Sequence, residues 1–564
     1  MQEKPAVKNW IDGIFLIILC LVLLYSGKKI IKDQEWPCDL DNYRDIAQVQ
    51  TILDGHYGQD PYYLNEHVWY TPGCHFIIAG ICLLLGKPAP LVIGKIGAYL
   101  NLLVPLVFYL MLRIIWGRVT ALLGTAAYLI FQNSYPVWVS ALYTPWFYTH
   151  IFAQAAFYIA VILLYEIITQ NPGLKYYIIL GILLGIISLL HLGPTFLAGS
   201  MIFLFFLDKL YALWQDRKSN YREITALFHK FMGVAIPALL ISQVFYSFPI
   251  WYYRLKIKNF HPTGWQWDGF TLEQLPGFLL KEVTGISSII AIFGFVYLLR
   301  KHKDSTVKKI SLFWLITGIG FLADDLLKIW LKTKGIQLPL LLPPHHFFLY
   351  LKSLSYIFFG YGVGIIATEL FKVLKGVKRK LWETPVHQPV SRKMTPRAFL
   401  EGGCFLLFLA LLAVYLLAVY PQNPGILELK SAAQQRYEKP ELIAAYRWVR
   451  QNTGKNDVFL CADSFSMIVA APAGRKVVAT HPFFSNPYVD LNERKRDRNI
   501  MYKCFTSGDT ANFVRLCKKY HVKYLVTTPD DFEKGHQSVR PLAKTVFVRM
   551  QLLIAKIIMN PGSN

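Results

Sequence analysis

Charge is what this chain has least of. Only 17% of its 564 residues are Asp, Glu, Lys or Arg, and acid is the scarcer sign, 35 residues against 59. The eight cysteines include no Cys-x-x-Cys pair and no His/Cys zinc spacing, which argues against a thiol-redox motif and a structural metal. No Gly-x-x-x-x-Gly-Lys-Ser/Thr run occurs, so a P-loop pump is excluded. Gly360-Tyr-Gly362-Val-Gly364 lies inside an apolar block and suits close helix packing better than a nucleotide.

What is present is apolar sequence in long blocks. The chain is 54% hydrophobic with a mean hydropathy of +0.35, too apolar for a soluble domain of this length. Ile11 to Tyr25 is preceded by Lys4 and Lys8, is followed by Lys28 and Lys29, and has no small-x-small exit; it reads as an uncleaved anchor. Further blocks lie near 91–112, 119–133, 150–168, 176–207 (room for two, broken at His191-Leu-Gly-Pro194), 231–247, 285–299, 310–330, 352–371 and 399–420. The expected fold class is a polytopic α-helical membrane protein of about 11–13 spans. His75 to Leu85 is too short to cross by itself, and reads as re-entrant or as part of a span kinked at Pro88 and Pro90.

Basic residues are retained on the cytoplasmic side of a membrane. Residues 372–397 carry eight Lys and Arg against the single acid Glu383, and loops 208–230 and 300–309 fall in phase with it. Residues 28–72, 248–282, 331–351 and everything beyond Tyr420 then lie outside, in a multi-pass protein of the plasma (inner) membrane. This partition accounts for most of the formal charge of +24 and leaves no reason to invoke nucleic acid. The domains expected are 1–420, membrane-embedded with the outer loop 28–72, and 421–564, water-soluble and extracytoplasmic. The latter holds 22 Lys+Arg against 12 Asp+Glu, and helix-like stretches alternate with the strand-like DVFLCA, KVVAT and VKYLVTTP, a small α/β pattern. Cys38 with Cys74, or Cys504 with Cys517, could form a disulfide or remain buried thiols.

Against that scarcity of acid, CDLDNYRDI (38–46) gathers Asp39, Asp41 and Asp45 just beyond the first apolar run, in a loop that also carries Asp54, Asp60 and Glu66. The plain explanation is helix capping: after Pro37, Asp39 and Asp41 in a first turn complement the helix dipole. Asp324 and Asp325 read as marking the outer end of a span that stops at Leu322, and LNERKRDRNIMYK (491–503) as a solvated basic face.

DLDNYRDI, ILDGHYGQDPYY (52–63) and HVWYTPGCHFIIAGI (67–81) together resemble the first outer loop of the GT-C superfamily of membrane glycosyltransferases. SYPVWVSALYTPWF (134–147), LPPHHFFLYLKSLSYIFFGYG (342–362) and the C-terminal domain are similar to later parts of the same family, in the same order. The resemblance implies a sugar donor carried on a polyprenyl phosphate, a lipid, glycan or protein acceptor, surrounding membrane lipids and transfer with inversion. An Asp base in the first outer loop takes the acceptor proton, and the phosphate departs without an acid. Asp39 matches the family's acid, followed by Asn42 and Tyr43; the family often has a second acid adjacent, where this chain has Leu40, so Asp41 competes for the role.

Cations to meet the leaving phosphate are sought in His345, His346 and Lys352, and in Arg254, Lys256 and His261, with Trp265 as a sugar-stacking surface. Ordinary interfacial histidines, lipid-headgroup contacts and an aromatic belt explain the same residues without function. The cofactor is left open, with none the plainer expectation; a divalent cation, Mg or Mn, would need another oxygen or His ligand converging on Asp39 and Asp41. A lipid or glycan transporter or flippase, or a non-catalytic cell-envelope assembly protein, is the alternative. A transporter would place ionisable groups within its spans, which here are nearly free of them.

Overall fold

The computed structural model describes residues 9–131, 141–215, 221–259, 285–302, 304–336, 338, 345–381, 396–432 and 439–558. Within the helices, Asn9, Asp325, Ile329, Lys332, His345, Phe371, Ala432 and residues 374–381 and 396–402 are described by their backbone.

Each apolar block forms a helix. Eight helical stretches among the described residues are long and apolar enough to cross a membrane: Trp10–Ile30, Ala89–Ile115, Thr149–Gln170, Leu192–Gln215, Tyr221–Tyr252, Ser305–Lys328, His346–Leu370 and Gly403–Gln422. Arg118–Ile130 and Leu174–Leu190 are shorter apolar helices between them, and Ile286–Lys301 fills the block near 285–299. The chain is an integral membrane protein with the polytopic helical fold its hydropathy predicts. The helices used below are α1 (Asn9–Ile30), α2 (Leu40–Leu53), α3 (Gly73–Leu85), α4 (Ala89–Leu100), α5 (Leu103–Ile115), α6 (Arg118–Ile130), α7 (Thr149–Gln170), α8 (Leu174–Leu190), α9 (Leu192–Gln215), α10 (Tyr221–Ser247), α11 (Ile286–Lys301), α12 (Ser305–Thr333), α13 (His345–Leu381) and α14 (Pro396–Val414).

The break expected at His191 is real. His191 caps α8 in an extended conformation (φ −165°, ψ 144°). Pro194, whose missing N–H costs nothing in a first turn, lies at the start of α9. The glycines of α13 do pack helices: Gly360 lies against Gly124 of α6 and Gly362 against Gly294 of α11. α12 continues through Asp324 and Asp325 to Thr333, so the helix does not stop at Leu322; Asp324 pairs instead with Lys328 one turn on.

His75 to Leu85 belongs to α3, a separate helix of 13 residues, roughly 20 Å long. Gly86 ends it in the left-handed conformation (φ 60°, ψ 31°), and α4 restarts at Ala89 behind Pro88. α3 packs on α2, α4 and α8, with Leu83, Leu84 and Leu85 left exposed.

The C-terminal region contains α15 (Pro424–Ala432), α16 (Pro440–Asn452), α17 (Leu491–Ser507) and α18 (Thr510–Tyr520) with strands β1 (Val458–Leu460), β2 (Lys476–Val477), β3 (Val522–Thr527), β4 (Ala543–Arg549) and β5 (Leu552–Ile557). The sheet order is β2-β1-β3-β5-β4: β1 runs parallel to β2 and β3, and β5 antiparallel to β3 and β4. The β4–β5 hairpin is the part that the alternating helix–strand pattern did not anticipate. The basic run forms α17, capped by Asp490, with Asp497 held by Lys519 and Tyr520 at 2.6 and 2.8 Å. All eight cysteines are free thiols, so neither suggested disulfide is formed.

The first outer loop is fastened to this C-terminal region. Asp54 takes two bonds from Arg450 (2.8 and 2.9 Å). Buried Asp60 accepts from the N–H groups of Tyr62 and Tyr63 (2.7 and 2.8 Å) and from Asn486 (2.9 Å), while buried Lys476 donates to its carbonyl. Val477 N–H bonds Tyr62 O at 2.8 Å, and Arg494 lies 4.2 Å over the Tyr63 ring.

Candidate active site

Asp39 is the N-cap of α2. Its backbone is extended and its Oδ1 accepts from the N–H of Asp41 at 3.2 Å, so the capping explanation is correct as far as it goes. Its other oxygen has a second partner: Tyr148 O–H donates to Oδ2 at 3.0 Å. The two acids are half-buried at the start of α2, while Asn42 through Gln50 behind them are buried.

Tyr148 is delivered by the turn 141–148, which is fixed by bonds to its backbone. Asn101 Nδ2 donates to Thr144 O and Trp146 O, both at 2.8 Å, and Asn42 Nδ2 to Phe147 O at 2.6 Å. Gly97 of α4 faces the backbone of Pro145, Trp146 and Phe147 so closely that a Cβ there would overlap it.

Charge behind the two acids is organised by Arg44. Its guanidinium reaches Asp41 Oδ1 (3.2 Å), Asp45 Oδ1 (3.4 Å) and Tyr70 O–H (3.2 Å), and lies 4.2 Å over the Tyr70 ring. His75 completes the network with Nε2 3.0 Å from Asp45 Oδ1 and Nδ1 3.0 Å from Thr71 O. Burial raises Asp39, against the pull of the Asp41 N–H, Tyr148 and Arg44. Burial likewise pushes Asp41 up to about 7, against Arg44 and with the charges of Asp39 and Asp45. Asp45 is equally desolvated, but Arg44 and His75 outweigh burial and hold it below the ordinary carboxylate range. Asp41 keeps 28% of its side chain accessible although its Oδ1 is buried with no aligned hydrogen bond.

On the far side of Tyr148 lies a cluster of three histidines. His150 sits in the first turn of α7, 5.6 Å from the Tyr148 ring. His191 occupies the α8–α9 break and His346 the first turn of α13, with ring centroids 6.0 Å (His150–His191), 5.3 Å (His150–His346) and 4.7 Å (His191–His346) apart. Gly193 N–H donates to His191 Nδ1 at 3.1 Å, which puts the proton of the neutral ring on Nε2. Asp39, Tyr148 and the three imidazoles form a continuous chain of polar groups at the common end of α2, α7, α9 and α13.

The residues singled out from sequence divide accordingly. Asp39 and Asp41 share one edge, and His346 is joined to Asp39 through His150 and Tyr148. Lys352 is buried on α13, about 10 Å along the axis from His345, of which only the backbone is described. Asn42 and Tyr43 are buried; Tyr43 O–H donates to Pro37 O at 3.3 Å, and its ring stacks on Trp36. Arg254 and Lys256 are exposed in a short segment beyond α10, with no contact to the acids among the described residues. His261 and Trp265 lie outside the described residues. Sequence reasoning passed over Tyr148, His150 and His191. The signal for His191 was its place at the interruption of an apolar block, where a polar residue needs a reason. Among the described residues, no group of three or more His, Cys, Asp or Glu side chains is arranged to hold a metal ion.

No protein-family model matches this chain, and no curated protein matches it in sequence. Its fold has solved counterparts. ArnT from Cupriavidus metallidurans bound to undecaprenyl phosphate superposes with a TM-score of 0.55 over 98% of both chains at 12% identity, and its apo form with 0.52 at 11% identity. Arabinofuranosyltransferase AftD from Mycobacteria gives 0.52 at 12% identity, over 97% of this chain and 42% of that one. The fold is therefore that of the GT-C membrane glycosyltransferases, as the outer-loop motifs predicted.

Proposed function

We propose that this chain is an inverting membrane glycosyltransferase that moves a sugar from a polyprenyl-phosphate donor to an acceptor on the extracytoplasmic side of the plasma membrane. The observation that carries the reading is the chain Asp39–Tyr148–His150–His346, with His191 against both histidines, which links a raised carboxylate through Tyr148 to three imidazoles where several membrane helices end. ArnT, a counterpart of the same fold over 98% of its length, binds undecaprenyl phosphate, which fits a donor of that kind.

In this reading the acceptor O–H gives its proton to Asp39 as its oxygen bonds the anomeric carbon, and the bond from that carbon to the phosphate oxygen breaks with both electrons leaving on phosphate. A carboxylate with a raised pKa is a stronger base than a free Asp, and N–H donors of His150, His191 and His346 are suited to meet the phosphate charge. Asp41 and Arg44 set the charge around the base. Residues 1–420 form the membrane domain and 421–564 an outer domain that closes over the first loop. The acceptor is a lipid, glycan or protein presented at that face.

The test is transfer of labelled sugar from polyprenyl-phosphate donors to a membrane extract by the wild type, Asp39→Asn and Asp41→Asn, with folding followed by thermal melts. Loss of transfer in folded Asp39→Asn with activity kept in Asp41→Asn is expected; the reverse moves the base to Asp41. No transfer by the wild type with any donor, together with lipid movement across vesicles, would replace the reading with a flippase.

A further inference from the structure

A second site lies away from the acids, at the seam where the chain leaves α1, restarts α4 and meets α16. A cleft of about 470 Å³ opens there between Trp36, Leu53, Pro88, Pro90, Leu91 and Arg447. Its depth relative to the bilayer follows from the spans around it. Trp36 comes six residues after the span Trp10–Ile30, and Pro88 and Pro90 flank the first residue of the span Ala89–Ile115. The cleft is therefore at headgroup level, at the end of the molecule that carries Asp39. Gln50, also in its wall, is eleven residues beyond Asp39 in the chain, about 16 Å along α2.

Its chemistry is amphipathic. The floor is aromatic, with Trp36 buried and Tyr446 edge-on to it at 4.9 Å. Leu83, Leu84 and Leu85, at 74%, 84% and 56% exposure, end α3 three residues before Pro88 of the cleft wall and present apolar surface there. The charges around it are Glu35 and Asp54 against Arg447, Arg450, Arg475, Lys455 and Lys87. Asp54 is occupied by Arg450 at 2.8 Å, with Arg475 3.9 Å away, and Lys455 donates to its carbonyl. Arg447 and Lys87 remain exposed beside a cavity of headgroup size.

We infer that this cleft binds the phosphate of an anionic phospholipid from the surrounding bilayer on Arg447, with an acyl chain lying along Leu83–Leu85. A soluble anion has no use for the apolar walls, and a zwitterionic lipid gains little from the excess positive charge. The inference is independent of sugar transfer, and its test reads binding alone.

Full-length protein in phosphatidylcholine nanodiscs doped with photoactivatable phosphatidylglycerol is irradiated, digested and mapped by mass spectrometry. Label is expected on the peptides holding residues 83–91 and 446–451. Arg447→Gln should weaken it about fivefold, the loss of one basic residue at a membrane surface; Arg447→Lys should retain it, and Leu91→Trp should abolish it by filling the cleft, with unchanged melts. Equal labelling by photoactivatable phosphatidylcholine, or label undiminished in Arg447→Gln, overturns the inference. So does loss of label on adding excess inorganic phosphate, which would make this a soluble-anion site.

Discussion

Tyr148 donates a 3.0 Å hydrogen bond to Oδ2 of Asp39, joining two residues 109 positions apart and linking the capping carboxylate of α2 to the histidine at the start of α7. An N-cap needs only one carboxylate oxygen. The second bond orients the carboxyl and ties it to Tyr148, whose ring lies 5.6 Å from that of His150.

The pH dependence of transfer follows from this carboxyl's surroundings. A base must be ionised to take a proton, so activity is lost as pH falls through its pKa. Burial raises Asp39, so the acidic limb of kcat/KM is expected above the ordinary Asp value of about 3.9. Arg44 lowers both acids, so Arg44→Gln should move the limb to higher pH in a variant whose melt still shows it folded. A limb near 4 that ignores Arg44→Gln refutes the assignment.

The imidazoles should act on the leaving group. His346→Ala and His191→Ala are expected to lower kcat by about 10²–10³-fold, the usual cost of removing one preorganised donor. Binding of the acceptor should change little. Steady-state kinetics with varied donor and acceptor separate the two, and an effect confined to the acceptor KM would remove the histidines from the phosphate.

Asp60 should be needed for the outer loop to hold the C-terminal region. Asp60→Ala strands the N–H groups of Tyr62 and Tyr63, takes one of three acceptors from Asn486 and removes the carboxylate near the buried Lys476, whose bond to the Asp60 carbonyl stays, a loss of about 2–4 kcal/mol. Burial pushes Asp60 up to about 6, against Lys476 and its hydrogen bonds. A raised acid binds its proton more tightly when folded, so its contribution to stability is full below about 4 and is lost as pH rises towards 6. Denaturant melts across that window should show the slope in the wild type and not in the variant.

Gly97→Ala should displace the turn that carries Tyr148, because its Cβ meets backbone that cannot swing aside. The expected cost is about 1–3 kcal/mol, with transfer reduced further than stability alone explains. Gly80→Ala on α3, where nothing lies within 4 Å, should be neutral or stabilising by roughly 0.5–1 kcal/mol. Thermal melts and transfer assays on the pair check both.

Sequence alone determined the membrane class, the blocks that became helices, the break at His191 and the α/β character of the C-terminal region. Each is a local property: bilayer thickness fixes how long an apolar run must be, and the residues that interrupt it decide where a helix ends. The acids of the first outer loop were also legible, because carboxylates are conspicuous in a chain with so few.

What only the tertiary structure decided is which of those groups meet. Asp39, Tyr148, His191 and His346 come from four separate segments, and no periodicity relates them. Asn42 and Tyr43 adjoin the acids in sequence yet turn inward, since successive helical positions face different sides. Asp39 and Asp45 differ by six positions and have oppositely shifted pKa values because Arg44 and His75 converge more closely on one than on the other. Such shifts depend on distances within a few ångströms, which the folded chain sets and the order of its residues does not.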